Sequence, residues 1–331
     1  MLKPKTLARY DQPVPRYTSY PTAPHFTEAV DAATHTRWLA EIPSGDSLSL
    51  YVHIPFCDTM CWFCGCHTRI VNRYEPIAVY LDHMTAEVER VAGTLGKRHR
   101  ASHVHWGGGT PTSLAPADIL RLSDALRTHF DFDEESEFAV ESDPRGVGEE
   151  TIAALGQAGV TRVSLGVQDF SPRVQQAVNR IQPFDETKRV IDSLRSVGIA
   201  EINIDLMYGL PHQGTDELLA TAEKVLELEP TRLALFGYAH VPWMKVHQRM
   251  IDEDALPGTE ARWQQAGAAR AFLEEHGFTT IGLDHFARDD DPMAAALKAG
   301  VLHRNFQGYT TDRANTLIGF GASSISSLPA G

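Results

Sequence analysis

The chain has 331 residues, 43% hydrophobic and 22% charged, which is enough to bury the core of one barrel or one large domain with an appendage. Its formal net charge of −13 excludes a general nucleic-acid or membrane-surface role, because no basic face compensates it; a local basic pocket for an anionic substrate stays open. No apolar run approaches the ~18 residues of a membrane span, and Met1-Leu2-Lys3-Pro4-Lys5 lacks the apolar core of a signal peptide.

Residues 1–47 read as an arm. Pro4, Pro13, Pro15, Pro21 and Pro24 forbid long regular structure there, and only 31–40 is periodic enough for a short helix. From Leu48 onward strands and helices alternate. The first strand is predicted at 48–53. A helix follows over 77–95, where Leu81, Met84, Val88, Val91 and Leu95 form one apolar stripe that reads as core. Further strands are predicted at 102–106, 138–140, 162–167, 202–206 and 233–238, separated by helices near 117–130, 149–157, 187–197 and 216–228. The strands run into Gly107-Gly108-Gly109-Thr110-Pro111, Glu141-Ser142-Asp143-Pro144-Arg145, Gln168-Asp169-Phe170, Met207-Tyr208-Gly209-Leu210-Pro211 and Ala239-His240. The tail is less regular. It offers a helix at 259–276, a candidate strand at 280–283, then Arg304-Asn305-Phe306-Gln307-Gly308-Tyr309 and Gly319-Phe320-Gly321-Ala322-Ser323.

Short strands alternating with helices imply βα units and a parallel sheet. Six units fall short of the eight in a closed barrel. The expected fold is therefore α/β, a partial, three-quarter (β/α)6 TIM-like barrel at 48–331 with an N-terminal arm at 1–47. In such folds the reactive groups gather at the carboxyl ends of the strands, where the polar and glycine residues named above fall.

All four cysteines lie in Cys57-Asp58-Thr59-Met60-Cys61-Trp62-Phe63-Cys64-Gly65-Cys66, spaced C-x3-C-x2-C-x-C. A disulfide framework needs cysteines spread along the chain to close loops. Thiolates this close together converge on one metal centre or cluster. The bland reading is a zinc knuckle, which takes four Cys or His ligands, usually as two separated pairs; no second pair exists here, although His53 and His67 are near. Inert buried cysteines would scatter through the core. Clustered thiols without disulfide spacing lead us to expect a reducing cytoplasm.

The C-x3-C-x2-C core, with Trp62-Phe63 before its third cysteine and Tyr51-Val52-His53-Ile54-Pro55-Phe56 delivering it, resembles the radical SAM enzymes. Cys66 and the arm Pro15-Arg16-Tyr17-Thr18-Ser19-Tyr20-Pro21-Thr22-Ala23 make the chain similar to the oxygen-independent coproporphyrinogen III oxidases, over about residues 15–326. The resemblance implies a [4Fe–4S] cluster on Cys57, Cys61 and Cys64, whose fourth iron takes S-adenosylmethionine. It implies contacts to one S-adenosylmethionine from Tyr51, Gly108, Glu141 and Ile325. A second molecule would meet Phe63, Gly109, Thr110, Gln168, Arg180, Asp205 and Ala239, with Phe306 and Gln307 as neighbours. The implied reaction is oxidative decarboxylation, without oxygen, of two propionates of coproporphyrinogen III to vinyl groups. It proceeds through a 5′-deoxyadenosyl radical and gives protoporphyrinogen IX for haem biosynthesis.

The residue chemistry agrees with those roles. Glycines let the backbone approach a zwitterion; Glu141 suits an amino group or ribose hydroxyl; Gln168 and Asp205 suit ribose hydroxyls or the methionine moiety; and Arg180 suits a carboxylate. A solvated loop side chain is the bland alternative for each. The arm, through Arg16, Tyr17 and Tyr20, would lie over the site mouth. Arg16, Arg69, Lys245, His240 and Arg304 are candidate cations for the substrate propionates. The partners implied are coproporphyrinogen III and a donor such as flavodoxin or ferredoxin, with no nucleic acid, no membrane and a monomeric state. Cys66 is left without a role. Family members continue into a smaller helical domain, which this sequence is expected to lack. Rival readings are a haem-binding chaperone without oxidase activity and another tetrapyrrole-acting radical SAM protein. The chaperones usually lack both the Cys66-type residue and the Tyr-Thr-Ser-Tyr arm.

Overall fold

The computed structural model describes residues 21–331 together with Thr6, Arg9 and Tyr10. Arg16, Tyr17 and Tyr20 lie outside the described residues. A nine-stranded sheet organises the rest. Its strands are β1 (Leu48–Ile54), β2 (Ala101–Gly108), β3 (Glu137–Ser142), β4 (Arg162–Gln168), β5 (Glu201–Tyr208), β6 (Arg232–Gly237), β7 (Phe278–Gly282), β8 (His285–Arg288) and β9 (Thr316–Phe320). The spatial order is β9-β1-β2-β3-β4-β5-β6-β8-β7. Pairing is parallel from β9 through β6. The order is linear, so among the described residues strand pairing does not close the barrel.

The helices are α1 (Ala32–Ala40), α2 (Glu75–Leu95), α3 (Pro116–His129), α4 (Glu149–Ala158), α5 (Pro172–Ala177), α6 (Phe184–Ser196), α7 (Thr215–Leu226), α8 (Thr259–Glu275) and α9 (Pro292–Lys298). The apolar stripe of α2 is core: Ile77, Leu81, Met84, Val88, Val91 and Leu95 are all buried. Gly96 then ends the helix at φ 69°, in the left-handed conformation that glycine adopts without a steric cost. A strand covered on both faces needs an almost unbroken apolar run, and β1 is buried along its entire length.

The tail differs from expectation. The stretch around Gly319-Phe320 is a strand, β9, lying parallel against β1 from Leu48↔Thr316 to Val52↔Phe320. It adds a seventh parallel strand to the six predicted, at the opposite edge from the growing βα series. The candidate strand at 280–283 is the first arm of an antiparallel hairpin, β7–β8, whose second arm pairs with β6. The short helices α5 and α9 were not predicted; both begin at a proline, which suits a first helical turn but leaves too few residues for a periodic stripe.

Candidate active site

β1 passes through Pro55 into Phe56–Cys57, which pairs with Arg69–Ile70 and closes the base of the cysteine loop. The loop is pinned from outside. Val178 O accepts from Trp62 N at 3.0 Å, and Met60 O accepts from Asn179 Nδ2 at 2.8 Å. Phe63 O accepts from Gln248 Nε2 at 3.0 Å, Cys64 O from His247 Nε2 at 2.7 Å and Cys66 O from Lys245 Nζ at 2.9 Å. Satisfied carbonyls on both flanks hold one loop shape, so the thiols are presented in a set arrangement.

All four cysteines are free thiols. Cys57 Sγ lies 3.5 Å from Thr110 Oγ1. Burial pushes its pKa up to about 11, with charge on Cys64 and Cys61 adding to the rise. Cys61 Sγ accepts from Arg180 Nη1 and from Arg145 Nη2, each at 3.3 Å. A hydrogen bond from the Cys66 thiol draws the Cys64 pKa down to about 6, while Cys66 itself is raised. The thiols thus share one electrostatic neighbourhood. Yet no three His, Cys, Asp or Glu side chains among the described residues converge closely enough to grip one ion. A zinc knuckle demands that convergence; a cubane takes one thiolate on each iron and holds its ligands further apart.

Beside the loop, β2 ends in three glycines whose lack of a side chain is used. A Cβ on Gly109 would lie 2.6 Å from Phe56 O, and one on Gly107 would lie 2.8 Å from the Glu141 carboxylate. Gly108, at φ +114°, donates its N–H to Glu141 Oε2 at 3.1 Å. Glu141 Oε1 also accepts from His105 Nε2 at 3.1 Å. Burial alone would raise Glu141, but His105 and the Gly108 amide outweigh it and hold the carboxyl below its usual range.

Glu141 and Asp205 line a cavity of about 160 Å³ together with His105, Ser164, Asn203 and Gln307. Asn203 Oδ1 and Gln307 Nε2 are buried there with no partner among the described residues. An orphaned acceptor and an orphaned donor in one cavity fit a polar ligand. Tyr51 stacks on the cavity residue His105 with ring centroids 6.0 Å apart, hydrogen-bonded to His53 Nδ1 at 2.9 Å and edge-on to Phe306 at 4.8 Å. Burial and the Glu141 charge raise its hydroxyl pKa far above the ordinary value.

Gln168, Arg180, Phe63, Ala239 and Ile325 do not line that cavity. Gln168 takes φ +70° at a register shift between β4 and β5, a strained conformation of the kind held at ligand-facing strand ends. Arg180 is already committed to Cys61, to Asp143 Oδ2 at 2.9 Å, to Gln182 Oε1 at 3.1 Å and to Gly166 O. Phe63 packs against buried Val174, Val178, Leu210 and Tyr238. Ala239 O accepts from Gln248 Nε2 at 3.2 Å. Ile325 runs behind Gly319, where an added Cβ would meet its carbonyl at 3.0 Å, and Gly319 pairs with Tyr51.

The candidate cations are less united. His240 is taken up by Tyr238 Oη and Glu253 Oε1 at 2.8 and 3.0 Å, Lys245 holds Cys66 O, Arg304 lies over Tyr309 and Arg69 is exposed. Sequence reasoning missed His105 and Arg145. His105 was findable: on β2 it alternates with buried Val104 and Trp106, which puts it on the inner face. Arg145 carried no such signal, because its partner Cys61 lies 84 residues away.

The Radical SAM superfamily model matches residues 51–225 of this chain. The oxygen-independent coproporphyrinogen III oxidase of Bradyrhizobium diazoefficiens is 53% identical over 97% of this chain and 71% of that protein. That of Paracoccus denitrificans is 48% identical over 98% and 72%. This chain belongs to the oxygen-independent coproporphyrinogen III oxidases, within the radical SAM superfamily. The solved coproporphyrinogen III oxidase of Escherichia coli, itself described as a radical SAM enzyme, superposes with a TM-score of 0.91 at 40% identity, covering 98% of this chain and 73% of that one.

Family membership brings a [4Fe–4S] cluster and S-adenosylmethionine as cofactors, and the residues present fit both. Three free thiols sit on a braced loop, two guanidiniums face one of their sulfurs, and an adjoining polar cavity has its own unpaired donor and acceptor. The loop sits at the carboxyl ends of the parallel strands, where such folds gather their ligands. No helix among the described residues is long and apolar enough to cross a membrane.

Proposed function

We propose that this oxidase holds its cluster on Cys57, Cys61 and Cys64 and its S-adenosylmethionine in the cavity between Glu141 and Asp205. It converts two propionates of coproporphyrinogen III to vinyl groups without oxygen, giving protoporphyrinogen IX. The observation that carries this reading is the cysteine loop itself, with Cys57 against Thr110 and Cys61 against two guanidiniums at the strand ends.

When bound, the cluster and S-adenosylmethionine would supply the one-electron radical chemistry that acts on the substrate propionates. The protein supplies position and electrostatics. Glu141, kept ionised by His105 and the Gly108 amide, receives the ammonium of the methionine moiety. Asp205, whose carboxyl is raised to about 7 by burial and by the Glu141 charge, carries a proton much of the time and donates to a ribose oxygen. Glycine at 107, 108 and 109 lets Glu141, His53 and the Phe56 backbone close up on the end of β2, which sets the Glu141 carboxylate against the Gly108 amide. By the family resemblance, Tyr51, Gly108, Glu141 and Ile325 take one S-adenosylmethionine and Phe63, Gly109, Thr110, Gln168, Arg180, Asp205 and Ala239 a second, the two sites adjoining at the cavity that Glu141 and Asp205 both line. The electron comes from a low-potential carrier such as flavodoxin or ferredoxin, in a reducing cytoplasm, to a monomeric enzyme.

Anaerobic reconstitution with iron and sulfide, followed by S-adenosylmethionine, a reductant and coproporphyrinogen III, tests the assignment. Vinyl products and 5′-deoxyadenosine are expected together. Uptake of haem in stoichiometric amount without vinyl formation would favour the chaperone reading instead.

A further inference from the structure

Arg145 is a charged side chain at the cysteine loop that none of the roles above uses. It follows Glu141 by four residues on the loop after β3, so the strand that presents the carboxylate also presents a cation. Its Nη2 donates to Cys61 Sγ at 3.3 Å and to Asp143 Oδ2 at 2.6 Å, and its Nε donates to both Asp143 oxygens at 3.0 and 3.1 Å. Arg180 Nη1 approaches the same sulfur and the same carboxylate from the loop after α5. The three side chains are largely buried, with Arg145, Asp143 and Arg180 exposed by 20%, 16% and 7%. One sulfur therefore faces two guanidiniums with a single carboxylate between them.

We propose that Arg145 is a positioning residue for the redox centre: clamped by Asp143, it donates with Arg180 to the Cys61 sulfur and raises the potential at which the cluster accepts its electron. The proposal rests on the cluster reading above. Hydrogen bonds to ligand sulfur and nearby positive charge favour the more electron-rich state of an iron–sulfur centre. An arginine stays charged throughout any accessible pH, so the contribution is constant. Little solvent reaches the site, so the charges are weakly screened. Asp143 sets the strength of the effect, because its negative charge offsets part of what the guanidiniums supply. A lysine at 145 could not serve both Asp143 oxygens and the sulfur, having a point charge in place of a planar fork.

The test is an EPR-monitored redox titration of the reconstituted cluster, without S-adenosylmethionine, in wild type, Arg145→Met, Arg145→Lys and Asp143→Asn, with iron and acid-labile sulfide measured in each. Arg145→Met should lower the midpoint, with a roughly tenfold fall in the reduced-to-oxidised ratio at fixed potential, or about 59 mV for one electron. Arg145→Lys should recover part of that shift. Asp143→Asn should move the midpoint the other way, since it removes the countercharge and leaves both guanidiniums. Opposite shifts support the proposal, whereas mere loss of packing moves both variants alike. Unchanged midpoints, or shifts of one sign in cluster-loaded variants, overturn it and leave the cysteine assignment standing. Wild type without acid-labile sulfide overturns the cysteine assignment and this proposal with it.

Discussion

Glu141 and Asp205 line one cavity from β3 and β5 and hold their protons on opposite terms. Glu141 is held below its ordinary 4.5, and Asp205 is raised from 3.8 to about 7, partly by Glu141's own charge. Two carboxyls with their affinities pushed apart are the usual mark of a site in which one is an acceptor and the other a donor.

That arrangement gives stability a pH signature. Asp205 binds its proton more tightly folded than unfolded, so its contribution is fully present below about 3.8 and is lost as pH rises through about 7. Glu141 has the opposite sign. Its contribution is present above 4.5 and is lost as pH falls through its depressed folded value. Urea unfolding across a pH series should show stability declining between about 4 and 7 in wild type, and Asp205→Asn should flatten the decline. A decline that persists in the variant would assign it to another group.

The four cysteines should separate by substitution. On the cluster reading proposed above, Cys57→Ser, Cys61→Ser and Cys64→Ser each take away one ligand, and anaerobic preparations should lose most of their iron and acid-labile sulfide. Cys66 is exposed and meets Cys64, not the guanidiniums or Thr110. Cys66→Ala should therefore keep the sulfide. If it is lost as completely as in Cys64→Ser, Cys66 belongs to the ligand set.

Glycines should divide by what surrounds them. Gly109→Ala drives a Cβ to within 2.6 Å of Phe56 O and 2.9 Å of Pro55 C, backbone atoms that cannot swing aside. It should cost about 1–3 kcal/mol and loosen the cysteine loop. Gly93→Ala lies within α2, where a Cβ meets nothing inside 4 Å, and should gain roughly 0.5–1 kcal/mol. Thermal unfolding of both, with sulfide content as a second readout, checks the contrast.

The base of the sheet carries its own wager. Asp291 accepts from Arg232 Nε at 3.0 and 2.9 Å and also caps α9 through Met293 N at 2.7 Å, with both side chains of the pair buried. Asp291→Ala leaves a buried guanidinium with less compensation and should cost about 3–5 kcal/mol. Combining it with Arg232→Met should recover part of the loss, as a double-mutant cycle would show.

Much of the scaffold was legible because the signals were local. The stripe of α2 and the apolar runs of β1 to β6 specify their elements within a few residues, and polar strand ends follow each run. β9 was not legible. It is a short run that becomes a strand only by lying beside β1, more than 260 residues away, and its own neighbours Gly319 and Gly321 read as loop. The candidate site divides similarly: Glu141, Gln168 and Asp205 were marked by position at strand ends, whereas Arg145 was marked only by its partner.

Sequence alone determined the ligand chemistry and the class of fold, since cysteine spacing and hydrophobic period are properties of neighbouring residues along the chain. Tertiary structure alone decided which charges face which sulfur, which carboxyl keeps its proton and which strand closes the β1 edge. Those depend on distances through space between residues far apart in the chain, and on how much water burial leaves between them.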